Sequence, residues 1–508
     1  MPAPLSRRQF LRGAIALGVT LTAHSFASPA SARTADFAAL AASIDGRLVL
    51  PGDADYAVAH QLFQPRYDTV SPAAVAYPAH DQDIVTCLAF AQAQHVPLVP
   101  RGGGHSYAGW STGPGLVLDL SALSAVGAST SGTATVGAGA RLADVNATLA
   151  SVGAAVPSGL CPSVSVTGLT LGGGLGVTSR AYGTTSDNLT GARIVTVDGR
   201  IREVGPTQDS DLFWALRGGG GGNFGIVTEL RLTTHPTPDC AHAELHWAWS
   251  DAGALIRAWQ RWAPALPDHL WSQLEFDVYT DPPAPYVGVL CLDGADELNT
   301  HLDGLIGLAG VQPSDRYLVV RSYSDTMQKL SGCLGLTAPQ CHLPGTLPGR
   351  DPNGQVTRED YASRSDFWTA PLPEAGIGAV LDAVAHYATT APPGGHGVVQ
   401  FDGTGGGAVN RIAPQATAFV HRDALFLAQY LAYWPEDATP DEVRQHQAWL
   451  GGLWTALRPW ASGQAYQNYV DPRLTTWREA YYSSNLPRLQ QIKAGYDPGR
   501  VLDFPQAI

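Results

Sequence analysis

Three glycine-rich stretches carry the first chemical signal in this sequence: Arg101-Gly102-Gly103-Gly104 running into His105 and Ser106, Gly172-Gly173-Gly174-Leu175-Gly176, and Gly218 to Gly222. Glycine lets backbone N–H groups approach a pyrophosphate closely, so three such loops in one region point to a bound dinucleotide. Only the third reads as Gly-x-Gly-x-x-Gly, through Gly220, Gly222 and Gly225. It follows a helical pattern and leads into a strand pattern, the reverse of the order that a Rossmann fingerprint needs. His105 abuts the first loop, and Cys161 stands in Ser158-Gly159-Leu160-Cys161-Pro162 upstream of the second. Each offers a nucleophile, although a lone histidine or cysteine is ordinarily structural. Near the C-terminus Tyr466 to Val470 reads as a strand, whose alternation puts Tyr466 and Asn468 on one face and Tyr469 on the other.

Other chemistries drop out. Lys329 and Lys493 are the only lysines and neither follows a glycine loop, which excludes a Walker-type phosphate site. No Cys-x-x-Cys occurs, and His242-Ala-Glu-Leu-His246 has its glutamate at the wrong offset for a zinc helix and alternates like a strand, so no metal site is expected. The net charge of -13 repels phosphate backbones, which disfavours nucleic acid. Hydrophobic residues at 45% and charged ones at 15% exclude a disordered chain, and beyond the N-terminal segment no apolar run is long enough to cross a bilayer.

The elements that must position these residues come in two styles. Residues 33–236 alternate short helices and strands: a helix from Ile84 to His95, a strand through Val99 into the first glycine loop, strands at Leu116 to Leu120, Ala134 to Gly137 and Ala192 to Val197, and a strand from Gly225 to Leu232. His235-Pro236 punctuates a boundary. Residues 237–456 mix Trp-rich strands with helices around a polar, proline-rich interruption from Pro344 to Thr357, and residues 457–508 return to regular signals with a helix from Arg488 to Tyr496. Residues 1–32 read as a twin-arginine export leader: Arg7-Arg8, an apolar stretch from Ala14 to Ala23, and Ala30-Ser31-Ala32 as the cleavage site. That leader predicts a periplasmic or extracellular protein, where Cys333 and Cys341 either close a short loop or stay reduced.

The string from Val99 to Gly109, followed by Cys161-Pro162-Ser163-Val164 and Leu171 to Gly176, resembles the FAD-linked oxidases of the berberine bridge enzyme type, within the vanillyl-alcohol oxidase superfamily. Tyr466 to Asp471, Trp477, Tyr481-Tyr482, Asn485 and Tyr496-Asp497-Pro498 resemble the same family's terminal element. The resemblance implies an α+β fold: a two-part FAD-binding domain of the PCMH type, a substrate domain on an antiparallel sheet, and a C-terminal segment returning to the FAD domain. It further implies FAD attached twice, through His105 to the flavin 8α carbon and through Cys161 to C6. Arg101, Gly102, Gly103, Gly104, Ser106, Val164, Gly168, Gly172, Gly173, Gly176 and Val227 are its expected cofactor contacts. Tyr466 is the expected proton acceptor, with Asn468 beside it, and Gln400 and Asp402, alternating on a strand from Val398, are candidate polar contacts to substrate.

The substrate expected from the resemblance is a small hydroxyl-bearing molecule, an oligosaccharide or a glycosylated or polycyclic metabolite, with oxygen as electron acceptor. Val164, beside the flavin position, favours oxygen access. A dehydrogenase with another acceptor, and a non-catalytic protein that merely retains flavin, are the alternatives. Oligomeric state stays open.

Overall fold

The computed structural model describes residues 35–279 and 282–508; the leader read over residues 1–32 lies outside them. The fold is α+β. A four-stranded sheet, ordered β1-β2-β4-β3, combines β1 (Arg47–Val49), β2 (Ala74–Tyr77), β3 (Leu98–Arg101) and β4 (Leu116–Asp119). β2 and β3 both run parallel to β4, and the helix Asp81–Ala93 makes the crossover between β2 and β3. A second sheet, ordered β5-β6-β10-β8-β9, contains β5 (Val126–Ser129), β6 (Thr133–Gly137), β8 (Leu189–Val195), β9 (Ile201–Val204) and β10 (Ile226–Thr233), all antiparallel. A two-residue ladder joins β7 (Ala154–Ala155) to β11 (His235–Pro236).

The largest sheet has seven antiparallel strands in the order β15-β12-β14-β13-β19-β20-β18: β12 (Cys240–His246), β13 (Leu270–Val278), β14 (Ala284–Cys291), β15 (Asp315–Arg321), β18 (Asp360–Trp368), β19 (His396–Asp402) and β20 (Phe426–Trp434). Strand alternation sorts its two faces. In β20, Phe426, Ala428, Tyr430 and Ala432 join a core shared with the helices Ala252–Trp262, Glu374–Thr390 and Pro440–Leu457. Leu427, Gln429, Leu431 and Tyr433 point the other way, toward the glycine loops, where Gln429, Leu431 and Tyr433 line a cavity. A capping box, Thr439 with Glu442, starts the last of those helices.

The C-terminal segment returns to the first half of the chain. Ala465, Leu474, Trp477, Tyr481, Leu489 and Ile492 share one hydrophobic core with Val136, Leu142, Ile194, Trp214 and Leu230. The buried Lys493 ammonium seals that junction, donating to the Asn223 and Leu502 carbonyls and to Asp497, each at 2.7 Å.

One sequence expectation resolves differently. Tyr466 to Val470 is a turn rather than a strand, closed by the Tyr469 N–H donating to the Tyr466 carbonyl at 2.9 Å. Aromatic and β-branched residues suit a strand, but among the described residues no neighbouring strand offers these a ladder. The interruption at Pro344 to Thr357 carries a short parallel pair, β16 (Leu343–Pro344) and β17 (Arg350–Asp351), and clamps the first half of the chain. His342 meets Asp144 at 3.0 Å, the Gly349 carbonyl accepts from Arg141 at 3.4 Å, and Arg350 donates to Gln61 at 3.0 Å. The disulfide between Cys333 and Cys341 is formed just before this clamp.

Candidate active site

A cavity of about 550 Å³ opens where the first glycine loop, the segment around Cys161 and the inner face of the seven-stranded sheet meet. On one wall, β3 delivers Gly102, Gly103, Gly104, His105 and Ser106 in sequence. A side chain at Gly103 would collide with the Ser165 backbone, so this loop lies flat against its neighbour. Arg141 fixes it from behind, donating to the Gly102 carbonyl at 2.9 Å and to the Ser121 hydroxyl at 2.8 Å. His105 stacks on Phe63 at 4.1 Å and meets the Ser163 hydroxyl at 2.9 Å through Nε2. Burial holds its pKa down to about 3, with the Arg141 charge adding to the effect, so the imidazole is neutral and keeps a lone pair for bonding. Cys161 is exposed and lines the cavity, and the surrounding protein mass pushes its thiol pKa up. Val164, Gly168, Gly176 and Val227 line the same space.

Arg101, Gly172 and Gly173 lie behind this wall rather than on it. Arg101 is buried in an ion pair with Asp119 at 2.6 Å, where it braces the loop. A side chain at Gly172 would collide with the Asn468 amide, and one at Gly173 with the Phe419 ring. The second glycine loop is therefore chiefly a socket for the C-terminal turn. Tyr466 fills it: the phenol is 1% exposed and its oxygen accepts from the N–H groups of Gly174 at 2.9 Å and Leu175 at 3.2 Å, and from the Asn468 amide at 2.9 Å. Burial raises the Tyr466 pKa to about 12, against the pull of those donors. Asn468 also donates to the Leu169 carbonyl at 2.9 Å.

The opposite wall comes from the sheet. Gln400 and Asp402, two apart on β19, both line the cavity, as the alternation from Val398 requires. The Gln400 amide donates to Gln273 on β13 at 3.2 Å, and Gln429 on β20 donates to the Tyr107 hydroxyl at 3.2 Å. Asp402 accepts from the Trp271 indole at 2.6 Å. Burial lifts its carboxyl to about 7, with the Trp271 bond pulling the other way. Tyr107, two residues past His105, stacks on Tyr469 at 5.7 Å with the rings 3° from parallel. Both phenols are raised by burial, and Asp402 is among the charges that act on Tyr469. Asp402, Gln273, Gln429, Tyr107, Tyr361 and Tyr469 thus complete a polar and aromatic chamber over the His105 and Cys161 wall. Sequence reading named Asp402 but missed Gln429, whose signal was a lone amide in the apolar run Phe-Leu-Ala-Gln-Tyr-Leu-Ala-Tyr-Trp.

The chamber fits a flavin dinucleotide. Gly168 lines it with nothing within 4 Å of where a side chain would start, and the buried Thr167 hydroxyl on the same wall lacks a partner, which leaves both room and an unspent polar group for a ligand. A neutral histidine and an exposed thiol face the same space. Among the described residues one His/Asp group, Asp45, His80 and Asp83, has metal-like spacing. Asp83 is committed there to the N–H groups of Asp45, Gly46 and Ala79.

Residues 72–205 match the FAD binding domain family, and residues 465–508 match the berberine and berberine-like family. An uncharacterized FAD-linked oxidoreductase of Bacillus subtilis (strain 168), YgaK, is 32% identical over 474 residues, covering 92% of this chain and 97% of that protein. The xylooligosaccharide oxidase from Myceliophthora thermophila C1, solved in complex with xylobiose, superposes with a TM-score of 0.82 at 27% identity, over 94% of this chain and 99% of that one. The glucooligosaccharide oxidase from Acremonium strictum, whose FAD is 6-S-cysteinyl and 8α-N1-histidyl, superposes with a TM-score of 0.80 at 28% identity, over 94% and 100% of the two chains.

Proposed function

Because the chain belongs to the berberine bridge enzyme-like family of FAD-linked oxidoreductases, we propose that it oxidises a ring hydroxyl of a carbohydrate, at the reducing end of an oligosaccharide, with oxygen as the electron acceptor. The observation that carries the substrate reading is the cluster of amides, Gln273, Gln400 and Gln429, on the wall facing His105 and Cys161. Amides donate and accept at once, which suits a ligand studded with hydroxyl groups. The glucooligosaccharide and xylooligosaccharide oxidases that it resembles support the same reading.

His105 and Cys161 would hold the flavin covalently, and Gly102 to Gly104, Ser106, Val164, Gly168, Gly176 and Val227 would line its bed. Bound there, a flavin would supply a hydride acceptor for the carbinol carbon and a two-electron donor for the reduction of oxygen to hydrogen peroxide. The chain's own part is the proton. Asp402, with its carboxyl near neutrality, takes the substrate hydroxyl proton through the Tyr469 phenol, while Tyr107 and Tyr469 wall off water and the amides orient the sugar. Tyr466 is assigned a positioning role instead, because three donors already occupy its oxygen. The twin-arginine leader would carry the folded flavoprotein out of the cytoplasm.

Anaerobic mixing with a panel of sugars and phenolic alcohols tests the reading. Bleaching of the flavin band by oligosaccharides, and peroxide on admitting air, is the expected result. Bleaching by phenolic alcohols alone would overturn the substrate class, and bleaching without peroxide would make the enzyme a dehydrogenase.

A further inference from the structure

The sheet that carries the amides extends beyond them, and its register places side chains in rows across three strands. Glu275 on β13 pairs with Gln400 on β19, which pairs with Gln429 on β20. One step of alternation further, Asp277 pairs with Val398 and Val398 with Leu431. A second step reaches His396, paired with Tyr433, and Tyr279 just past the end of β13.

This last row is aromatic across all three strands. Tyr279 stacks on His396 with ring centres 4.0 Å apart and planes 20° from parallel; His396 stacks on Tyr433 at 4.4 Å and 6°. The Tyr279 hydroxyl meets His396 Nε2 at 2.8 Å, which locks the outer ring in place. Tyr433 lines the cavity, whereas Tyr279 is 65% exposed. Burial holds the His396 pKa down to about 4, so the stack is neutral near neutral pH. A large aromatic held out in water by stacking and a hydrogen bond has surrendered its mobility while gaining little burial, as a preformed ligand platform would.

Resting on the oligosaccharide reading above, we propose that Tyr279, backed by His396 and Tyr433, is a remote subsite that stacks against the pyranose ring of a distal sugar unit and sets the chain length the enzyme prefers. The distance supports it. Four residues of strand separate the Gln400 row from the His396 row, roughly 13 Å at the rise of an antiparallel strand, which a monosaccharide at the amide row cannot bridge and an oligosaccharide can. Between the two rows, Asp277 offers a carboxyl group to the hydroxyls of an intervening unit.

The experiment compares kcat/KM for glucose, cellotriose and maltotriose in the flavin-loaded enzyme and in Tyr279→Ala and Tyr279→Trp. The parent is expected to prefer a trisaccharide over glucose. In Tyr279→Ala that preference falls about tenfold, the equivalent of about 1.4 kcal/mol and within reach of one stacking contact, through KM rather than kcat. Tyr279→Trp keeps or strengthens it. An unchanged preference in Tyr279→Ala, an equal loss for glucose and trisaccharide, or a parent indifferent to chain length would overturn the subsite and leave the oligosaccharide reading standing. Oxidation of no sugar of any length would remove that reading, and the subsite with it.

Discussion

The Tyr466 hydroxyl is held by the backbone N–H of Gly174 at 2.9 Å, so a C-terminal side chain is locked to a glycine loop almost three hundred residues earlier. With Leu175 and Asn468 also donating to the same oxygen, the phenol ties the terminal segment into the cavity wall and leaves Tyr469 to project beside Tyr107. The expected outcome divides the two tyrosines. Tyr469→Phe should retain its flavin and fold but reduce that flavin about 10² to 10⁴ times more slowly, as loss of a proton-transfer group does. Tyr466→Phe strips the acceptor from three donors and should lose about 1 to 3 kcal/mol of stability. Its flavin reduction should stay within a fewfold of the parent. Anaerobic stopped-flow and chemical denaturation check the pair, and the reverse pattern would return the proton to Tyr466.

Why this division was hidden in the sequence is physical. Alternation is a sound guide inside a ladder, as Gln400 and Asp402 on β19 demonstrate. Applied to Tyr466 to Val470 it presumed a neighbouring strand, and the backbone bonds there close a turn instead. The glycines at 172 and 173 were legible as close approach, but what approaches is Asn468 and Phe419, side chains that no local pattern could assign. By contrast, Gly102 to Gly104 with His105 leave a strand end directly onto the cavity, and it was the glycine loop together with the family resemblance that singled them out. Gln429 needed only its contrast with apolar neighbours, whereas Tyr107 and Asp402 gain meaning from Tyr469 and Trp271, which distant parts of the chain bring to them.

The acid limb of the reaction should report Asp402. Its carboxyl is lifted to about 7 by burial, and it accepts a proton only when ionised, so kcat/KM should fall as pH drops below about 7. Asp402→Asn should be slow at every pH, with that limb gone. Trp271→Phe removes the indole that favours the ionised form, so the limb should move to higher pH. A pH profile from about 5 to 9 in the three proteins is the measurement, and a limb that survives in Asp402→Asn would assign the proton elsewhere.

Export should depend on the arginine pair. Replacing Arg7 and Arg8 by lysine should leave the precursor in the cytoplasm, since that transporter reads the two guanidinium groups, while the folded domain should still load flavin. Cell fractionation with an absorbance scan checks both halves, and normal secretion of the doubly substituted precursor would point to the general secretion route.

Cofactor attachment gives the last test, and it is independent of any substrate. His105 is neutral and Cys161 exposed on the same cavity, so each has an electron pair free for a bond to the flavin ring. Acid-denatured protein should remain yellow, because covalent bonds survive loss of the fold. His105→Ala and Cys161→Ala should each retain flavin through the remaining bond, and the double variant should release it. The two single variants should also differ from each other. His105 is seated by Ser163 and Phe63, so its loss opens a hole at the cavity wall and should lower thermal stability, whereas Cys161 is exposed and its loss should cost less. Full release of flavin from the unaltered protein on denaturation would show that the loops hold it without covalent help.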